Sequence, residues 1–508
     1  MASFWGDLDP DIRTGILGAP RLGCGTRFGL KWLMDFIFMG LKIFAVSFVY
    51  YVPSKISHPL GEPFPTILRL RYRMPQLRLE QTDERLTRRT GLILINRFGD
   101  TVNLPSKIDR AFREPGSNRG LKASEYVLTI AEMLIDGATC LEDVRLFEND
   151  EAYKEMAEVR HYPTSDASGD WLRRHGGTDG EKRLWTVISP LIQTMTGGSG
   201  LTLDIDGTLI EANKGDAEYT YKGFRGYHPL LGGSTELALF VCSQFQQGNL
   251  SPQEGLVDFT KQCILNAPGT FSTVRSDSAG YNHHLINHCF QEGLRFSITA
   301  DHDCAVMEMI VKIPKSEWKQ GIHDDGSEAA YQVAETIHTL DKSSRSFRLV
   351  VKRTPCNSQQ QDLFDGSYKY WIIATNIPQN EKDAQAIIDF QNGRGEFEKM
   401  IGELKHHYGL DHMPCGQFSA NSLYFTIGIL AFTLVQLLKR HYFGNEWKKK
   451  SVRSLRYHWL HVPSRIISHA RYTIAKVAMT PLLFAQLLEM YLKLCLAPAP
   501  DAVPASSG

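Results

Sequence analysis

The hydrophobic pattern is most informative at Leu203-Asp204-Ile205-Asp206-Gly207-Thr208, where apolar and acidic residues alternate before a turn. Side chains along a strand point alternately to its two faces, so Asp204 and Asp206 share one face while Leu203 and Ile205 pack behind them. Gly207 and Thr208 turn the chain away and leave Asp206 at a strand end. A second strand–helix–strand pattern follows. Phe271–Ser276 leads into Asp277, residues 281–290 place Leu285, Ile286, Cys289 and Phe290 at helical spacing, and 294–300 alternates again. The β-branched and aromatic runs at 347–351 and 368–374 predict further strands. Residues 67–190 read as polar and helical, with amphipathic segments such as Ala123–Asp136, and 379–405 and 421–496 also read as helical.

Composition adds a distribution of charge rather than an excess of it. The 508 residues carry a formal net charge of zero, and 43% are apolar, enough for a sizeable core. Residues 67–122 hold 13 Lys or Arg against 6 Asp or Glu, and residues 439–476 hold 10 against 1. Basic ends around a more acidic middle suit a chain that grips phosphates while its centre holds cations; solvated helix faces produce the same pattern. Nine cysteines without a C-x-x-C spacing fit a reducing cytoplasm and speak against a zinc ribbon or a disulfide scaffold. The apolar stretch 28–52 is interrupted by Lys31, Asp35 and Lys42, and 423–438 offers 16 uncharged residues, which predicts a buried helix rather than a membrane span.

Phosphoryl transfer with two metal ions needs carboxylates from different elements converging on cations about 3.5–4 Å apart. Asp206 is the first candidate. Asp277, followed by the turn Ser278-Ala279-Gly280, is the second. The third is Glu398: at about 100° per residue, Arg394, Glu398 and Lys405 fall within roughly 40° on one helix face. That face would set a carboxylate beside two cations able to hold a DNA phosphate. The spacing also suits an ordinary ion-paired helix.

Asp206, Asp277 and Glu398, with Arg-x3-Glu-x6-Lys around the last, resemble the DDE transposases of bacterial insertion sequences, with the insertion-sequence 1380 group the nearest match. Gly226-Tyr227-His228-Pro229-Leu230-Leu231, Arg275-Ser276-Asp277-Ser278, Ala374-Thr375-Asn376 and Phe418-Ser419-Ala420-Asn421 belong to the same pattern, which runs from about residue 67 to about 490. The resemblance implies an α/β fold: an RNase H-like mixed-sheet catalytic core with a β-rich insertion, flanked by helical N- and C-terminal regions. The corresponding division is 1–65 as an atypical extension, 66–190 as a helical region that binds DNA ends, and 191–303 as the first part of the core. It continues with 304–376 as the insertion, 377–425 as the second part of the core, 426–496 as a basic helical region and 497–508 as a disordered tail.

The resemblance further implies an enzyme that binds terminal inverted repeats in double-stranded DNA, cleaves at the element ends and transfers 3′-hydroxyl strands to target DNA. Asp206, Asp277 and Glu398 would be catalytic and would ligate two Mg2+ or Mn2+ ions. Arg394 and Lys405 would position DNA phosphate, and Asp204 would be a reserve ligand. A homodimer on paired ends, no membrane partner and a cytoplasmic, nucleoid-associated location are the matching expectations. The chain departs from the wider pattern at Gln391, where a tyrosine would stand. Two other readings stay open. Leu203-Asp204-Ile205-Asp206-Gly207-Thr208-Leu209 also looks like the first motif of haloacid-dehalogenase-type phosphatases, with Asp204 as nucleophile and Asp206 as acid/base. A decayed copy that grips DNA without cutting it is the other.

Overall fold

A computed structural model describes residues 79–112, 120–196, 200–251, 253–323, 325–356 and 368–497. The chain divides into two compact units, Met1–Gln81 and Thr82–Gly508, and the scaffold described here belongs to the second. The readings of 1–65, of the apolar stretch 28–52 and of the tail from 498 lie outside the described residues.

The N-terminal part of this unit is helical, with α1 (Ile93–Thr101), α2 (Leu104–Ala111), α3 (Ala123–Asp136), α4 (Ser165–His175) and α5 (Thr178–Gln193). Then comes a nine-stranded sheet: β1 (Leu201–Gly207), β2 (Leu230–Ser234), β3 (Leu239–Gln244), β4 (Phe271–Ser276), β5 (Arg295–Thr299), β6 (Lys319–Ile322), β7 (Glu328–His338), β8 (Phe347–Pro355) and β9 (Tyr368–Thr375). The spatial order is β6-β7-β8-β9-β5-β4-β1-β2-β3. β1 runs parallel to β4 and β4 parallel to β5, whereas β2 and β3 form an antiparallel hairpin against β1.

That five-strand arrangement is the RNase H-like core. Parallel neighbours need a crossover; α6 (Leu256–Asn266) leads into β4 and α7 (His283–Gln291) joins β4 to β5. Leu203, Ile205, Val274, Phe296 and Ile298 fill the interior at the centre of the sheet. Two glycines in β2 let helices seat closely. A Cβ at Gly232 would lie 2.4 Å from Cys263 Sγ of α6, and one at Gly233 2.8 Å from the Phe397 ring.

The segment 304–376 opens with a helix, α8 (Cys304–Val311), before its strands begin. β6 to β9 then run as an antiparallel meander that joins the core sheet through β9 and β5. The chain returns through α9 (Ala384–Asn392), α10 (Arg394–His407), the 25-residue α11 (Phe418–Tyr442) and α12 (Pro481–Leu496).

α11 is long and apolar enough to cross a membrane, yet its most apolar window is entirely buried in the fold. A helix apolar on all sides needs neighbours on all sides, and α1, α3, α4, α5 and β3 provide them. The helices before the sheet and this helix after it therefore share one core. The helical reading of 421–496 is broken: Pro463 interrupts helical bonding, and Ser464–Ser468 pairs with Leu86–Thr87 on one side and Thr473–Val477 on the other in a three-stranded antiparallel sheet. Period-two alternation explains it, with Ser464 and Ile466 buried on either side of exposed Arg465.

Glu132 of α3 is buried beside Asn96, Tyr153 and Tyr162. Burial pushes its carboxyl up to about 8 despite the hydrogen bonds these neighbours offer. The native chain thus keeps a proton that the unfolded chain loses near 4.5. The stabilisation is complete at low pH and disappears as pH rises towards 8. Glu132→Gln is expected to flatten that fall and to exceed the parent by on the order of 2 kcal/mol at about pH 8.5. Urea denaturation on both sides of the window checks it; parallel pH profiles for the two proteins would contradict it.

Candidate active site

The parallel register of β1 and β4 sets Asp204 beside Arg275 and Ile205 beside Ser276. Asp206 and Asp277 consequently emerge together where the two strands end. Asp277 caps the short turn Ser278–Gly280, its carboxylate accepting from the Ala279 amide at 3.1 Å. The third group arrives on α10. Phe397, Ile401 and Leu404 form its buried stripe, and the Phe397 ring packs on Phe240 of β3 with centroids 5.6 Å apart. Seating that stripe on the sheet brings Arg394 and Glu398, one turn apart, to the two strand-end aspartates.

One guanidinium then contacts all three carboxylates. Arg394 Nη2 lies 2.7 Å from Asp206 and 3.9 Å from Asp277, and Nη1 lies 2.9 Å from Glu398. The Asp206 side chain is 12% exposed, that of Glu398 55%. Burial pushes the Asp206 carboxyl up to about 7; Asp277 and Glu398 push the same way, and Arg394 and the Gly207 amide oppose them. A cleft of roughly 290 Å3 opens beside the aspartates, bordered also by Tyr221, His228, Ser278 and Asp301.

Among the described residues no three of His, Cys, Asp and Glu stand at metal-binding spacing. The spacing here is that of carboxylates around an arginine. As a donor set, three carboxylates from three elements are hard oxygen ligands of the kind Mg2+ and Mn2+ take, and their mutual repulsion calls for added positive charge.

Residues 71–494 match the family model for the transposase DDE domain, group 1. The chain belongs to this transposase family. A cryo-EM structure described as a piggyBac transposase synaptic complex with hairpin DNA is 12% identical, aligned over 84% of this chain and 90% of that one with a TM-score of 0.41. No curated protein matches the chain.

Other residues singled out in this transposase chain stand apart from the three carboxylates. Asp204 is 0% exposed and held bidentately by Arg275, with Nε at 2.6 Å and Nη2 at 2.9 Å. In this structure its carboxylate is taken up by Arg275 rather than facing the cleft that Asp206 and Asp277 border. Lys405 is half-buried, and its Nζ donates to the Leu209 carbonyl at 2.7 Å and the Thr208 hydroxyl at 3.2 Å, pinning the turn after Asp206. Burial holds its ammonium below the usual lysine range. Gln391, where the family pattern would place tyrosine, is buried. It donates to the Ser276 carbonyl at 2.9 Å and accepts from the Ser297 hydroxyl at 2.7 Å, tying the end of α9 to β4 and β5.

His228 entered the sequence reading only as matching text. The structure buries it at the cleft, and its Nε2 would lie 2.4 Å from a Cβ on Gly207. The pattern Gly-after-Asp was the available signal, since only a residue without a side chain admits the imidazole there. Gly207→Ala is expected to displace the ring and to lower stability by about 1–3 kcal/mol, the usual cost of overpacking. Chemical denaturation reads it, and an unchanged midpoint would show that the ring moves freely.

Proposed function

We propose that the chain binds the terminal inverted repeats of its own insertion sequence, cleaves DNA at the element ends and joins the freed 3′-hydroxyls to target DNA. The observation that carries this reading is the meeting of Asp206, Asp277 and Glu398, from two strand ends and a helix, around one cationic group. These three would hold Mg2+ or Mn2+. When bound, a pair of such ions supplies charge stabilisation at the attacking and leaving oxygens of an in-line displacement. The chain's own part is to orient the carboxylates rigidly, through the β1–β4 register and the seated α10 stripe. Exposed cations offer phosphate contacts, among them Lys222 beside Tyr221 at the cleft.

The basic segments 67–122 and 439–476 support a sequence-independent grip on the DNA backbone. The insertion-sequence 1380 motifs support a bacterial element, a nucleoid location and a homodimer on paired ends. The test is incubation of the protein with a plasmid carrying the element's repeats and Mg2+ or Mn2+. Nicks at the repeat boundaries, followed by joining to a second plasmid, are expected. Binding without nicking would mean a decayed copy, and turnover of a phosphate monoester would favour the phosphatase.

A further inference from the structure

Two arginines, Arg275 buried and Arg394 partly exposed, lie near the carboxylates, and they are held in different ways. Arg275 is fully engaged: Nε and Nη2 bond Asp204, Nη1 donates to the Phe390 carbonyl at 2.5 Å, and its guanidinium lies 4.9 Å from the Phe390 ring centre. It cannot leave without abandoning a complete set of partners. Arg394 is held by carboxylates, one of them through a hydrogen bond from Nη1 to Glu398 at 2.9 Å. Among the described residues its ion pairs run to the three carboxylates and its Nε has no hydrogen-bond partner, and its side chain is 18% exposed. The α10 backbone beneath it is anchored separately by Phe397, Ile401 and Leu404, so the side chain can swing without moving the helix.

We infer that Arg394 is a displaceable counter-ion, which occupies the cation position of the three carboxylates in the free protein and is drawn off by DNA phosphate. This rests on the reading of Asp206, Asp277 and Glu398 as the metal-holding set. The charge balance supports it. Three converging carboxylates repel one another and favour a cation between them, and a divalent ion set beside a guanidinium repels it at short range. Arginine and metal therefore compete for the same oxygens. A DNA phosphate at the cleft gives the guanidinium a bidentate partner of its own. Its departure frees the carboxylates, so DNA binding and metal binding reinforce each other, and by linkage each strengthens the other equally. The consequence is a chain that resists loading metal, and so resists cutting, until DNA is in place.

Mn2+ binding followed by electron paramagnetic resonance tests this on the full chain, with and without a short generic DNA duplex. Arg394→Gln is expected to bind Mn2+ about tenfold more tightly than the parent without DNA, about 1.4 kcal/mol. DNA should tighten Mn2+ binding by a similar factor in the parent and leave Arg394→Gln unchanged. Arg394→Lys, whose single ammonium cannot span Asp206 and Glu398 together, is expected to show a smaller gain, and it carries the test should the glutamine variant fail to fold. Equal or weaker Mn2+ binding in these variants overturns the inference, as does DNA-driven tightening that persists in Arg394→Gln. Asp206→Asn separates the two levels. If it abolishes Mn2+ binding while Arg394 has no effect, the site reading stands and the counter-ion role fails. If Mn2+ binding survives Asp206→Asn undiminished, the site reading fails and the counter-ion role goes with it.

Discussion

Glu398→Gln is expected to cut cleavage at element ends by about a thousandfold or more, on the order of 4 kcal/mol of transition-state stabilisation, while DNA binding changes little. Glutamine keeps the size of the side chain and removes only its charge. Glu398 is the most exposed of the three carboxylates, and among the described residues its ion pair is to Arg394, so the fold does not depend on it. The loss should therefore appear in chemistry alone. Asp206→Asn should give a similar loss, whereas Asp204→Asn should lower activity only as far as it loosens the strands. Nicking of repeat-bearing DNA beside a gel-shift titration separates the two effects. Cleavage within tenfold of the parent would remove Glu398 from the reacting set.

Arg275→Met is expected to destabilise the chain by about 3–5 kcal/mol, the cost of stranding a buried charge. Asp204 has no exposure, so water cannot replace the lost guanidinium. The double variant Asp204→Leu, Arg275→Met should recover most of that loss, since replacing both partners of a buried pair by apolar groups is often close to neutral. Urea denaturation of the single and double variants gives the comparison. A single-variant loss under about 1 kcal/mol would mean that the pair is dispensable. The pair matters to function because Asp204 and Arg275 face each other across the parallel β1–β4 register, and that register is what brings Asp206 and Asp277 together.

The strand-end aspartates were legible because each ends a predicted strand and precedes a turn, a local pattern with few structural solutions. Arg394 and Glu398 were legible as helical neighbours for the same reason. The joining of the 319–375 strands to the core sheet was not, since edge pairing between β9 and β5 leaves no local trace. The hairpin at 464–477 was hidden because its basic residues suit a solvated helix face as well as an exposed strand face. The N-terminal helices and α11 looked like separate regions, for sequence distance conceals that an all-apolar helix must be wrapped.

By itself the sequence determined the kinds of groups and the elements that carry them: two aspartates at strand ends, a glutamate and an arginine one helical turn apart, and a family pattern spanning most of the chain. Only the tertiary structure decided what each charge faces. Asp204 meets Arg275 across 71 positions, and Lys405 meets the turn at Leu209 across 196, while Arg394 lies among the three carboxylates. The physical reason is that backbone periodicity is local, whereas an ion pair forms with whichever opposite charge the packing of apolar faces brings within reach.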